Sequence, residues 1–225
     1  VVAFVVLYLV YKLFMMFFSA PPKPVVVPIQ PKVVAQPEVP PEPKPWENLP
    51  QQDVYMQRCY ANVLSLVKIL PPGWNIGMVN CSLSATSTSW NREFGRISTI
   101  DKALSESGVN LSGRSISPDG NMAMAAVSMG EIKTENSEPT KNMVDLKNIL
   151  NNFFQSIGQT VELSDYTYTS PQQNVYFSVK FKFMSNYNPR IWSNLLTKFS
   201  GLEMNTIQYN PANGVWSYEG AIYAL

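Results

Sequence analysis

Between Pro21 and Pro50 the chain carries 11 of its 18 prolines, beginning PPKPVVVPIQPKVVAQPEVPPEPKP. Each proline removes a backbone N–H and fixes φ, so neither a helix nor an inner strand persists through such a run. This stretch divides the molecule. The segment before it must fold alone, and the longer segment after it must build its own core. Polyproline II at ~3.1 Å per residue is the expected local state, and the linker, taken as residues 20–50, would reach up to roughly 90 Å. A stiff standoff and a disordered tether both fit this composition.

Before the prolines stands VVAFVVLYLVYKLFMMFF, apolar or aromatic at every position of Val1–Phe18 except Lys12. As a helix it would extend ~27 Å, slightly less than a hydrocarbon core of about 30 Å. We expect a transmembrane helix over residues 1–19, in contact with the lipid bilayer through residues 1–18. Lys12 would snorkel to the interface or face a partner helix. Phe17-Phe18-Ser19-Ala20-Pro21 offers no small-x-small cleavage site, which argues against a secretory signal. Val5 stands where a type IV pilin carries glutamate, so the segment does not resemble a pilin subunit. An apolar run already under way at Val1 leads us to expect more protein upstream.

After the prolines the sequence repeats a plan. Met56, Cys59, Val63, Leu66 and Leu70 step by 3, 4, 3, 4, the signature of an amphipathic helix, and Pro71-Pro72-Gly73 ends it. Met143, Leu146, Leu150, Phe153 and Ile157 repeat those steps 87 positions later, ending at Gly158. A second pair of helices carries Ile97, Ile100, Ala103 and Leu104 in one copy and Ile191, Leu195 and Phe199 in the other. The latter opens on Asn188-Pro189, an N-cap followed by proline at the first helical position. Ser107-Gly108-Val109-x-Leu111 parallels Ser200-Gly201-Leu202-x-Met204, 93 positions on. Each leads to a hairpin turn, Asp119-Gly120 or Asn213-Gly214.

Strand signals fill the gaps. Val175 to Phe183 alternates apolar with polar, Val161 and Leu163 suggest its partner, and Val215 to Leu225 is the last strand. In the first copy Trp74, Ile76 and Met78 alternate, then Cys81 and Leu83 continue on the opposite parity. A bulge near Val79-Asn80 would reconcile them, with Thr86 to Asn91 as the return strand. The expected fold class is α+β: an N-terminal transmembrane helix plus tandem ferredoxin-like (αββαββ) antiparallel sheet modules at residues 51–133 and 139–225. Two modules are preferred over one intertwined unit, and both remain open.

Composition excludes several chemistries. The chain has no histidine, which removes Ser-His-Asp and Cys-His catalysis and histidine metal ligation. A net charge of +1 with 15% charged residues leaves no basic stripe for nucleic acid. Glu93, Asp101, Glu106, Asp145, Glu162 and Asp165 fall on expected polar faces or turns. No phosphate-binding glycine motif occurs. We therefore expect no enzyme activity, no cofactor, no metal site and no small-molecule substrate. Trp74, Trp90, Tyr176, Phe177 and Trp216 read as core and sheet packing, and Gly201 as a structural turn.

Cys59 lies on the apolar stripe of the first helix and Cys81 on the strand that helix should cover. Pointing into the same layer, they would come within disulfide reach, which requires an oxidising compartment. Two unrelated buried thiols are the alternative.

Pro45-Trp46, Cys59, Pro72-Gly73-Trp74, Cys81, Trp90-Asn91-Arg92-Glu93-Phe94-Gly95 and the closing Trp216-x-Tyr218-Glu219-Gly220-x-x-Tyr223 occur here in order. In this the chain resembles the PilO-type pilus accessory proteins of type IVb pilus systems. The resemblance implies a single-pass bacterial inner-membrane protein with ferredoxin-like domains in the periplasm. It also implies a scaffold role in the pilus assembly platform, among other inner-membrane pilus assembly proteins. Open sheet edges lead us to expect a homodimer or higher oligomer. The competing expectation is a periplasmic cell-wall-binding or adhesive module anchored in the inner membrane.

Overall fold

Apolar spacing sets the helices, and caps set where they stop. The computed structural model describes residues 2–18 and 41–225; residues 20–40 of the expected 20–50 linker lie outside the described residues. Helix α1 (Val2–Phe18) has 17 residues, with side chains exposed from Ala3 to Met16. Its rise of ~26 Å falls short of a hydrocarbon core of about 30 Å. Among the described residues no helix is long and apolar enough to cross a membrane, so the transmembrane reading of residues 1–19 is unsupported by α1 alone. The chain divides into a unit ending at Pro41 and a second unit, Glu42–Leu225.

The second unit begins with β1 (Leu49–Pro50) and α2 (Gln52–Val67). Met56, Cys59, Val63 and Leu66 of α2 are buried at 3- and 4-residue steps, as the stripe requires, with Tyr55 buried beside them. Leu70, the last stripe position, lies past the helix end and is exposed. Next come β2 (Trp74–Cys81), β3 (Ala85–Arg92), α3 (Ile97–Glu106), β4 (Leu111–Ile116) and β5 (Met122–Ser128). A short strand β6 (Thr134–Glu135) pairs with β1 in a two-stranded ribbon. The second copy comprises α4 (Met143–Ser156), β7 (Val161–Thr169), β8 (Val175–Ser185), α5 (Pro189–Leu196), β9 (Leu202–Asn210) and β10 (Val215–Ala224).

The caps are local chemistry. Asn142 accepts from the Asp145 N–H at 2.9 Å, and Asn188 accepts from the Arg190 N–H at 3.0 Å with Pro189 in the first turn. In α4 the third buried position is Phe154, one residue past the expected Phe153; Phe153 turns aside to meet Phe199 edge-on.

The protein is α+β. Eight strands form one antiparallel sheet in the order β4-β5-β3-β2-β9-β10-β8-β7. Within each copy the strands run 3-4-2-1 counted along the chain, so both copies share one topology. They share a bulge as well. The register slips between Leu111↔Val127 and Gly113↔Ala126 in the first copy, and between Met204↔Gly220 and Thr206↔Glu219 in the second. Those four positions correspond at the same 93-residue offset. The parity change in β2 is also present: its register slips between Ile76 and Val79, just before the expected Val79-Asn80, and leaves Met78 exposed.

The copies meet edge to edge. Val79, Asn80 and Cys81 of β2 pair with Tyr209, Gln208 and Ile207 of β9. Above this joint α2 packs on α5, carrying a helix of the first copy onto one of the second. The buried core runs through both copies, with Trp90, Trp192, Tyr55, Tyr218, Phe154 and Phe181 among its largest members. Alternation sends Val179, Phe181 and Phe183 of β8 to the core, and Lys180, Lys182 and Met184 to the opposite, uncovered face.

Candidate docking surfaces

Cys59 and Cys81 form a disulfide with a Cα–Cα distance of 5.8 Å. It ties α2 to the strand at the inner joint. Two further bonds tie α2 to the same region. The Tyr55 hydroxyl donates to the Cys81 carbonyl at 3.1 Å, and the Gln52 side-chain oxygen accepts the Met204 N–H at 3.0 Å. A buried hydrogen bond of this kind contributes about 1 kcal/mol net, and costs more when one partner is removed. The Met204 bond satisfies backbone beside the β9–β10 bulge. In the second copy the positions matching the disulfide are Leu146, which is buried, and Leu163, which is half-buried against the core, so no covalent tie exists there.

The other expected structural residues occupy the core. Trp74 is buried and donates from Nε1 to Thr99 Oγ1 at 3.2 Å. Trp90 is fully buried in the core, and its Nε1 has no hydrogen-bond partner among the described residues. Trp216 packs on Tyr209 at 4.6 Å and reaches Tyr60 of α2 at 6.0 Å, bridging the copies. Gly201 has φ +71° and backs onto Tyr223, where a side chain would be strained.

Sequence reasoning missed a strap. The Glu42 carboxylate accepts from Ser170 Oγ at 2.7 Å and Asn174 Nδ2 at 2.9 Å, both in the β7–β8 turn. Trp46 then lies on the uncovered sheet face, 5.5 Å from Tyr176 and 5.9 Å from Tyr223. Leu49 and Pro50 pair with Glu135 and Thr134, and Ser137 Oγ accepts the Gly201 N–H at 2.7 Å. The chain therefore enters the folded unit across its second copy before building its first. A tryptophan at the end of a proline run was the available signal.

The candidate carboxylates are dispersed. Asp101 pairs with Arg114 at 2.8 Å, Asp165 with Lys147 at 3.0 Å, Glu106 with Lys102 at 3.9 Å, and Glu93 accepts from Asn75. Asp145 serves the α4 cap. Glu162 lines an open depression of about 500 Å³ on the uncovered face with Lys180, Lys182, Asn205 and Glu219. Its charges are largely matched: Lys182 meets Glu219 at 3.2 Å, and the Lys180 ammonium sits 3.7 Å from the Tyr166 ring centre. Among the described residues no cluster of His, Cys, Asp and Glu is suited to hold a metal ion.

Comparison with protein-family models, curated proteins and solved structures finds no match.

The remaining perturbed groups are tyrosines. Burial pushes the Tyr55 and Tyr218 hydroxyls well above the usual phenol range. Tyr223 is raised first by burial and then by Glu203, whose carboxylate accepts its hydroxyl at 2.9 Å. All three stay neutral and act as hydrogen-bond donors at physiological pH. The surfaces left for association are the two outer sheet edges and the uncovered face beyond the strap. Among the described residues, β4 and β7 have no neighbouring strand on their outer sides.

Proposed function

We propose that this chain is an inner-membrane docking scaffold of a type IVb pilus assembly platform, with residues 42–225 in the periplasm as tandem, permuted ferredoxin-like modules. The observation that carries the reading is the Cys59–Cys81 disulfide at the heart of the fold, since such bonds persist in oxidising compartments. The 3-4-2-1 strand order of each copy supports the module assignment. The resemblance of Pro72-Gly73-Trp74, Trp90 to Gly95 and Trp216 to Tyr223 to PilO-type proteins supports the pilus setting. The composition of Val1–Phe18, apolar or aromatic apart from Lys12, supports a lipid-facing anchor.

On this reading the work is positional. The strap fixes where the chain enters the folded unit, the disulfide and α2 hold the two copies as one plate, and the outer edges engage other platform proteins. Affinity capture of the full chain from envelope membranes, beside a peptidoglycan pull-down, tests it. Co-purification of inner-membrane pilus assembly proteins is expected. Clean cell-wall binding with no pilus partner would favour the adhesive alternative.

A further inference from the structure

The inner joint unites two particular strands: strand 1 of the first copy (β2) and strand 3 of the second (β9). The two edges left open are strand 3 of the first copy (β4) and strand 1 of the second (β7). They are the same two kinds of strand. We propose that the chain associates head to tail with further copies of itself, β7 of one molecule joining β4 of the next by the contact that already joins β2 to β9. This deepens the docking reading by naming a partner and its surfaces.

The repeat sets the register. Tyr209, Gln208 and Ile207 correspond to Ile116, Ser115 and Arg114 at the 93-residue offset. Val79, Asn80 and Cys81 correspond, through the β2–β3 and β7–β8 pairings, to Val161, Glu162 and Leu163. The intermolecular pairs are therefore Val161 with Ile116, Glu162 with Ser115, and Leu163 with Arg114.

Backbone phase agrees. The Ser170 N–H donates to the Asn174 carbonyl, and hydrogen-bonded pairs alternate along an antiparallel ladder. The even residues of β7 thus bond β8, while Val161, Leu163 and Asp165 turn N–H and C=O outward. In β4 the Ser117 N–H donates to the Met122 carbonyl, which by the same alternation turns Ile116 and Arg114 outward. Every outward group in the proposed register meets its complement.

Charge agrees too. One edge ends in the Lys147–Asp165 pair and the other in Arg114–Asp101. Asp165 falls diagonal to Arg114 on the same face, giving an alternating positive–negative row across the contact. The inner joint is reinforced by Tyr60 against Trp216, and the second-copy position matching Tyr60 is Lys147. The outer contact is therefore weaker and more salt-sensitive than the inner one. A contact between unlike edges also leaves a free edge at each end, so it builds a ring or an open row instead of a closed pair.

Cross-linking of the full chain in detergent tests this. Glu162 and Ser115 form a non-hydrogen-bonded pair, in which side chains approach most closely. The native chain has no free cysteine to interfere. Variants E162C and S115C, mixed and oxidised with copper-phenanthroline and air, should give a disulfide-linked heterodimer. Either variant alone should give little, and high salt should weaken the yield. Adding R114E to the S115C variant should suppress the product, and adding D165R to the E162C variant should restore it. An E162C homodimer as the main product would mean a two-fold β7 contact and overturn the proposal. So would no product from variants whose thermal melts match the parent. Either result leaves the docking reading standing if pilus assembly proteins still co-purify; loss of those partners with the heterodimer intact would strike that reading alone.

Discussion

Reducing the Cys59–Cys81 bond should loosen the whole plate, beyond the first copy. The bond closes a loop of 22 residues between α2 and β2. In the chain-entropy account a loop of this length contributes about 3 kcal/mol. For a folded unit of this size each kcal/mol moves Tm by roughly 2–4 °C, so reduction should lower Tm by about 8 °C. Cys81 is also the β2 residue paired with Ile207 of β9, and α2 carries Gln52 to Met204. The loss should therefore appear in probes of both copies, such as Trp90 and Trp192. The assay is a near-ultraviolet circular dichroism melt of the full chain in detergent, with and without thiol reductant, beside the C59A/C81A double variant. A Tm within about 2 °C of the oxidised protein would refute the argument. So would a separate low-temperature transition confined to the first copy.

Single contacts carry further expected outcomes. Gly220→Ala would set a Cβ 2.5 Å from a Phe181 ring carbon and 2.7 Å from the Glu203 carbonyl oxygen; a cost of about 2 kcal/mol in a denaturation curve is expected, and a neutral result would contradict the packing. Tyr55→Phe leaves the Cys81 carbonyl without its hydroxyl donor and should cost about 1–2 kcal/mol, read in the same way. Trp46→Ala should free the strap: amide exchange at Gln51, whose N–H donates to Lys133, should accelerate about tenfold or more while core strand β8 stays protected. Above about pH 10 stability should fall. Tyr55, Tyr218 and Tyr223 have raised folded pKa values, so the unfolded chain loses those protons first, at a slope of about 1.4 kcal/mol per pH unit per tyrosine. Stability independent of pH through that range would contradict their burial.

Local patterns were legible because each residue reports its own neighbourhood. The 3-4-3-4 stripes located α2 and α4, Asn188-Pro189 located the start of α5, and the parity change between Ile76 and Cys81 announced a bulge. The disulfide was legible because a helix stripe and the strand beneath it fix two directions at once. The inner joint was not. Val79-Asn80-Cys81 and Ile207-Gln208-Tyr209 look like any half-buried strand, and nothing in either says that its edge is taken. The Trp46 strap was hidden for the same reason: its partners Tyr176 and Tyr223 lie far along the chain, and their pairing appears only after the sheet is assembled. Phe153 and Phe154 show a smaller version, since neighbouring aromatics in a helix are ranked only by what packs against them.

The proposed function puts the stapled, two-copy plate outside the cytoplasm, binding other proteins. Treatment of intact cells with a membrane-impermeant amine cross-linker, with mass spectrometry of the products, tests both halves together. The exposed Lys102 and Lys182 should be linked to inner-membrane pilus assembly proteins or to further copies of the chain. Lysines that react only after the inner membrane is broken would contradict it.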